Sequence, residues 1–358
     1  MEPYLNFPLA SARLPDAPLL VHALGAPRFS GRSTGLRHML MQSSLAHVRH
    51  LVLVTSGDAG LAGDFREVGI ATCVCGKQRS WWRRWQILRA WRPALFHSHD
   101  RRSLPWQSLA ALSGVPWRLH AEGSVSGWAR MCVHGHASRE AANIPSGVDS
   151  LQFHPRLGPP ARVGPPGFMN EHGIVIGSVA SFDARQDVRP LVQAFIQLCH
   201  LGLPLSEHLR LLIVGDGEQR HACLDMLTQA ACSHRAWLPG LRKDVPQLLR
   251  CMDLFLSTAA GPSGETALLE AMATGLPLIV PKASAHAHLV EPGESGALLG
   301  ATDSSHVAAA IAAYLQRPEL MRQHGRQARQ LAIARHSLQS TAAAHAQLYD
   351  ALLAASRV

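Results

Sequence analysis

The sequence predicts an α/β protein of two doubly wound domains with a helical tail, and three observations carry that prediction. Short apolar, β-rich runs alternate with amphipathic stretches through most of the chain, which is the punctuation of successive βαβ units. A segment dense in proline and glycine, residues 153–170, interrupts the alternation, since neither a helix nor a central strand can continue through it. The 358 residues suffice for two cores of ordinary size.

From Leu19 the strand candidates are LLVHALG, HLVLVTSG, IATCVC, ALFHSH, WRLHA and RMCVHG, which predict a parallel sheet in a first domain over residues 1–152. Beyond the 153–170 linker the pattern restarts with GIVIGSVASF, a helix over 188–200, LRLLIVGDG and a helix over 219–231. AWLPG, MDLFLST, a helix over 265–273 and LPLIVP complete a second doubly wound domain over 171–335. Residues 303–353 read as helical throughout, and 336–358 are expected to form a C-terminal helix that returns to the first domain. Two such domains facing a cleft would bind ligands at their strand ends.

Composition narrows the function classes. Hydrophobic residues make up 47% and charged residues 16%, a globular balance that excludes a largely disordered chain. The net charge of +9 favours an anionic partner, yet only Lys77, Lys243 and Lys282 of the 34 basic residues are lysines. Without Lys-rich runs or high charge density, nucleic acid is not the expected partner. The seven cysteines are odd in number and scattered, which speaks for a reduced, cytoplasmic protein without a disulfide framework. No signal peptide is expected at the start, and no apolar run reaches the ~18 residues of a membrane span.

Three segments of the second domain carry chemistry. In LRLLIVGDGEQR an apolar strand ends in Gly215-Asp216-Gly217 before a helix, which requires a tight turn. WLPGLRKDVPQLLRCMDLFLST places Arg242, Lys243 and Asp244 in a loop between a strand and a short helix. In GPSGETALLEAMATGLPLIVP, Gly264 leads into a helix whose first amides belong to Glu265, Thr266 and Ala267, a geometry suited to phosphate. Glu270 lies one turn on, on the side of Thr266, where a carboxylate can accept from a ribose diol; equally, Glu265 can serve the helix dipole and Glu270 a solvated face.

These segments, taken with IPSGVDSLQFHP (144–155), FDARQDVRPLVQAF (182–195) and EPGESGALL (291–299), resemble the retaining glycosyltransferases of family 4, which have the GT-B fold of two Rossmann-like domains. The similarity is greatest to the group acting in bacterial exopolysaccharide or lipopolysaccharide assembly. It implies transfer of a hexose-like sugar from a nucleoside diphosphate sugar to a lipid-linked or saccharide acceptor, with no cofactor and no required metal. By the same resemblance Glu270 holds the ribose, Thr266 and Ala267 present amides to the diphosphate, Gly264 also binds the donor, Glu265 stands in for the donor-contacting glutamate that Pro262 replaces, and Gly215 and Arg242 lie around the nucleotide. Gly35, within FSGRSTGLRHML (29–40), matches the glycine of a phosphate-facing loop, and His120 matches the histidine near the reacting sugar carbon.

The sequence departs from that family where charge matters. Pro262 stands where the family carries a glutamate, and Ser181 and Gln186 stand where it carries the arginine and lysine that neutralise the departing diphosphate. Arg185 and Arg189 are the nearest replacements, and Arg37 replaces an acidic residue of the first loop. The stretch between His120 and His134 is shorter than the family's. These departures leave a second reading open, a degenerate scaffold or binding subunit of the same fold.

Two further segments have double readings. KQRSWWRRWQILRAWRP (77–93) mixes five arginines with four tryptophans, as a helix lying peripherally on an anionic membrane would, although Trp85, Leu88 and Trp91 also suit packing on a sheet. HSHD brings His97, His99 and Asp100 to a strand end, where they can chelate a metal or contact an acceptor, and the expectation is no metal.

Overall fold

The computed structural model describes residues 17–26, 31–75, 80–122, 128–134, 141–159, 163–168, 173–184, 186–201, 206–258 and 264–355. The chain divides into two units. Unit 1 holds the described residues up to Glu122, Trp128–Gly147 and those from Leu338 onward, and unit 2 runs from Val148 to Ser337. The described part of the proline- and glycine-rich segment 153–170 therefore belongs to unit 2.

Unit 1 is built on β1 (Leu19–Leu24), β2 (Arg49–Val54), β3 (Ala71–Val74), β4 (Leu95–Ser98), β5 (Trp117–Glu122), β6 (Trp128–His134) and β7 (Ala141–Pro145), in the order β3-β2-β1-β4-β5-β6-β7. Strand side chains alternate between faces. Leu20, Leu24, Val52 and Val54 therefore fill one side, while Val21, Ala23, Leu51 and Leu53 fill the other. Helices α1 (Gly31–Leu40) and α2 (Ala59–Arg66) cover the first face, and α3 (Trp81–Trp91) and α4 (Pro105–Leu112) the second.

Two expectations are corrected here. The sheet is not wholly parallel, because β6 runs antiparallel to both β5 and β7. A parallel return requires a crossover of a dozen or more residues, and the chain between Glu122 and Trp128 is too short for one. Strand β7 has a single β-branched residue, Ile144, and reads in sequence as the start of a linker; pairing with β6 is what defines it. The segment FSGRSTGLRHML is not a loop but is helical from Gly31 to Leu40, with Leu36, Met39 and Leu40 turned into the core at helical spacing.

Unit 2 carries β8 (Ile174–Val179), β9 (Leu209–Val214), β10 (Ala236–Gly240), β11 (Leu254–Leu256), β12 (Leu278–Pro281) and β13 (Gly296–Leu299), all parallel and ordered β10-β9-β8-β11-β12-β13. Helices α5 (Arg189–His200), α6 (Arg220–Gln229) and α9 (Ser304–Leu315) pack on one face through Leu191, Phe195, Cys223 and Ile311. Helices α7 (Val245–Leu249), α8 (Glu265–Thr274) and α10 (Pro318–Arg335) pack on the other through Leu248, Leu268, Met272 and Ala328. Chain order reverses at β8, which has β9 on one side and β11 on the other, and ligands of open α/β sheets bind at the carboxyl ends beside such a switch.

The last helix, α11 (Leu338–Ala355), belongs to unit 1. Leu338, Ala342, Ala346 and Tyr349 complete the core face that α1 and α2 begin. A side chain at Gly147 would meet the Leu338 Cα at 2.9 Å, so glycine is what permits the helix to enter this close.

Candidate functional site

The phosphate-type geometry expected in unit 2 forms at the start of α8. Gly264 is its N-cap with φ +102°, a left-handed value that suits glycine, and it supplies no side-chain cap. The first helical bond runs from Leu268 N–H to the Gly264 carbonyl at 3.0 Å. The amides of Glu265, Thr266 and Ala267 therefore precede the helical ladder at its positive end, which is where an anion is stabilised.

Glu270 is not a solvated face. It is 9% exposed, and burial alone pushes its carboxyl up to about 8. The charged form of a carboxylate is disfavoured in such surroundings, so Glu270 holds its proton at neutral pH until a donor satisfies the oxygens. The Thr274 hydroxyl donates to the Glu270 backbone carbonyl at 2.7 Å and leaves the carboxyl unengaged by that contact.

Gly215 and Gly217 serve a close backbone approach. Gly215 has φ +132°, and a Cβ there would lie 1.8 Å from the Ala180 carbonyl oxygen; a Cβ on Gly217 would lie 2.2 Å from that of Ser181. The Gly215 N–H donates to Gly240 O and the Gln219 N–H to Phe182 O, at 3.0 and 3.1 Å, so the turn after β9 is tied to both neighbours.

The positions that the resemblance marks for two cations form a neutral pair instead. The Ser181 N–H and hydroxyl both donate to Gln186 Oε1, at 2.6 and 2.8 Å. Arg189 is held bidentately by Asp187 at 2.8 and 2.6 Å, and Arg242 by Asp244 at 2.8 Å twice, with the Arg242 guanidinium over the Trp237 ring. Each pair lowers its carboxylate's pKa through these hydrogen bonds, and each arginine brings a compensating anion with it. Arg185 and Pro262 lie outside the described residues. A cavity at the strand ends is lined by Asp187, Pro190, Ser257, Thr258 and Pro281 among others, and neither Glu270 nor Gly215 lines it.

In unit 1, His120 lies within β5 and is buried, with Nδ1 2.8 Å from Ser98 Oγ on β4. Gln107 of α4 donates to the same Ser98 oxygen at 2.6 Å, so three elements fix the imidazole. Gly35 lies inside α1 with open space around its missing side chain. Asp100 is committed to structure: it accepts from Gly25 N–H at 2.6 Å and from Ser103 N–H at 2.8 Å in a capping box. What HSHD joins is His22 of β1, a residue with no local signal in the sequence, since a histidine in an apolar strand is ordinary.

Residues 173–317 match the family model described as Glycosyl transferases group 1. That stretch of unit 2 is similar to group 1 glycosyl transferase domains. Over 219 residues, 60% of each chain, it is 27% identical to the lipopolysaccharide core biosynthesis mannosyltransferase LpcC of Rhizobium leguminosarum bv. viciae. Over 165 residues, 45% of this chain and 42% of the other, it is 28% identical to the N-acetyl-alpha-D-glucosaminyl L-malate synthase of Bacillus anthracis. The matched regions thus span 60% or less of these curated relatives. Anabaena HepE, solved in complex with UDP-glucose, superposes with a TM-score of 0.75 at 16% identity, covering 93% of this chain and all of that one. The fold is GT-B, as the sequence led one to expect.

Gly215, Arg242, Gly264, Glu265, Thr266, Ala267 and Glu270 all fall within the matched residues 173–317, and the start of α8 brings the last five together. His120 and Gly35 fall outside it, in unit 1. No helix among the described residues is long and apolar enough to cross a membrane.

Proposed function

We propose that the protein transfers a hexose-like sugar, with retention, from a nucleoside diphosphate sugar to a lipid-linked or saccharide acceptor in surface polysaccharide assembly. The observation that carries this reading is the start of α8: first-turn amides behind a left-handed Gly264 that has no side chain to cap them, with a buried, protonated Glu270 one turn further in. The amides of Glu265, Thr266 and Ala267 would face the diphosphate, and Glu270 would accept from the ribose diol. His120 would stand near the reacting carbon, Gly35 near the phosphates, and Arg185 beside the leaving group. A relative named as a core mannosyltransferase and a structural neighbour holding UDP-glucose support the substrate class.

Calorimetry with UDP, GDP and ADP tests this. One nucleotide is expected to bind in the micromolar range. Diol binding favours the ionised carboxylate, whereas free Glu270 is protonated below about 8, so binding near pH 7 should release about one proton. Affinity should then rise with pH and level off above 8. Glu270→Gln should abolish the proton release and weaken binding at least tenfold; binding with no proton release in the unaltered protein would remove Glu270 from the site.

The same reading gives α3 a place. Trp81 and Trp82 are exposed at 62% and 49%, flanked by exposed Arg83 and Arg89, while Leu88 alone is fully buried. Trp85 is held by its indole N–H to Leu112 O at 3.1 Å, so the inner half of the helix packs and the outer half supports binding to an anionic lipid face. Sedimentation with vesicles should show binding that requires anionic lipid and drops several-fold in a Trp81→Ala/Trp82→Ala variant. Equal binding to neutral vesicles would refute it.

A second reading is favoured by one observation, the neutral Ser181–Gln186 pair in place of two cations. On that reading the chain binds nucleotide or a partner enzyme without turnover.

A further inference from the structure

We propose that His22, His97 and His99 form a binding site in unit 1 for a divalent cation of the Zn²⁺ type. The expectation of no metal weighed His97, His99 and Asp100, and the tertiary structure replaces the third of these. Strands β1 and β4 are parallel neighbours in register at His22 and His97, and His99 follows two residues on. The nitrogens that these three rings offer lie within 4.8 Å of one another. Tetrahedral Zn²⁺ with nitrogen at ~2.0–2.1 Å sets its ligand atoms about 3.3 Å apart. His22 Nδ1 and His99 Nε2 already stand at 3.1 Å.

Hydrogen bonds around the cluster decide which nitrogens carry lone pairs. The Leu45 carbonyl can only accept, and His50 Nε2 lies 2.9 Å from it, so His50 carries its proton there. The neutral His50 Nδ1 must then accept from His22 Nε2–H at 2.9 Å. That leaves the His22 Nδ1 lone pair directed at His99 Nε2, which donates to it in the metal-free state, so ligation through His99 Nε2 requires that ring to take its Nδ1–H tautomer.

His97 supplies the independent observation. Its Nδ1 lies 2.8 Å from Tyr349 Oη on α11, while its Nε2 is fully buried with no hydrogen-bond partner among the described residues. With Nδ1–H donating to Tyr349, Nε2 is an unsatisfied acceptor, a state that costs stability in a protein interior. A cation shared with His22 Nδ1 and His99 Nε2 satisfies it. Tyr349 and His50 would then orient two of the ligands from outside, as partners of metal-bound histidines usually do.

Three neutral imidazoles with no carboxylate suit Zn²⁺, Co²⁺ or Ni²⁺ rather than Mg²⁺ or Ca²⁺. Asp100 is turned away to Gly25 and Ser103. His99 is partly exposed at the carboxyl end of β4, which provides an entry path and an open fourth position. The Arg32 guanidinium, bonded to the His99 carbonyl at 3.0 Å, opposes a bare cation and favours an anionic oxygen as that fourth ligand.

The test uses the full chain, stripped by chelator and titrated with Co²⁺ and then Zn²⁺. One equivalent of Co²⁺ should bind with visible ligand-field absorption that Zn²⁺ abolishes. His99→Ala, at a strand end, should weaken binding at least tenfold while circular dichroism shows the fold retained, and His221→Ala, on exposed α6, should leave it unchanged. His22→Gln gives a second reading at the cluster. Absence of stoichiometric binding, or binding that survives His99→Ala, would overturn the proposal, the latter by placing the metal among the other histidines.

Discussion

Gly215→Ala should leave little folded protein at physiological temperature. The added methyl would stand 1.8 Å from the Ala180 carbonyl oxygen, and the opposing atom is backbone between β8 and its following loop, which cannot rotate away as a side chain would. The φ of +132° adds conformational strain for any residue with a Cβ. Overpacking against backbone together with that strain places the loss at about 3–5 kcal/mol, a large part of a typical domain's stability. Gly293→Ala is the control, because φ is +80° there with nothing within 4 Å of the added methyl. It should lose only ~1–2 kcal/mol. Urea unfolding of both variants separates the two contributions, and equal losses would show that the close approach to Ala180 is relieved without cost.

Restoring the cations should change turnover more than any other substitution. Breaking a glycosyl phosphate bond leaves negative charge on the diphosphate, and one preorganised donor at a developing charge is worth ~3 kcal/mol, about a hundredfold in rate. Ser181 and Gln186 offer no positive charge there, and the Ser181 N–H and hydroxyl are both spent on Gln186 Oε1 at 2.6 and 2.8 Å. Arg189 and Arg242 are each neutralised by a bidentate aspartate. If the chain is a transferase, Ser181→Arg/Gln186→Lys should raise turnover of the nucleotide-sugar found by calorimetry by ten- to a hundredfold, with little change in KM. If it is a scaffold, the double variant should bind nucleotide diphosphate more tightly and still show no transfer. An unchanged rate in an active enzyme would mean that Arg185 or another group already supplies the charge.

Much of this molecule was legible in its residues. Alternation of strand and helix patterns determined the parallel sheet of unit 2, because strands such as β8, β9 and β12 are buried on two faces and read as near-continuous apolar runs. The start of α8 was legible for a similar reason: glycine, then first-turn amides, then Glu270 at i, i+4 from Thr266 are local facts of one helix. The stretch similar to group 1 domains lies in this same region.

Three features were decided only by tertiary contacts. Strand β7 and the antiparallel edge exist because β6 offers an edge to pair with, which a stretch such as AANIP cannot announce. The helical state of Gly31–Leu40 comes from burying Leu36, Met39 and Leu40 beneath α11, which overrides the loop that two glycines suggest. The meeting of His22 with His97 and His99 depends on the register of β1 against β4, and their partners His50 and Tyr349 come from β2 and from the far end of the chain. Sequence determines what lies within one turn or one strand, where spacing alone fixes which side chains share a face. Which strands become neighbours, and which polar atoms are then buried without water, follows from packing among residues far apart in the chain.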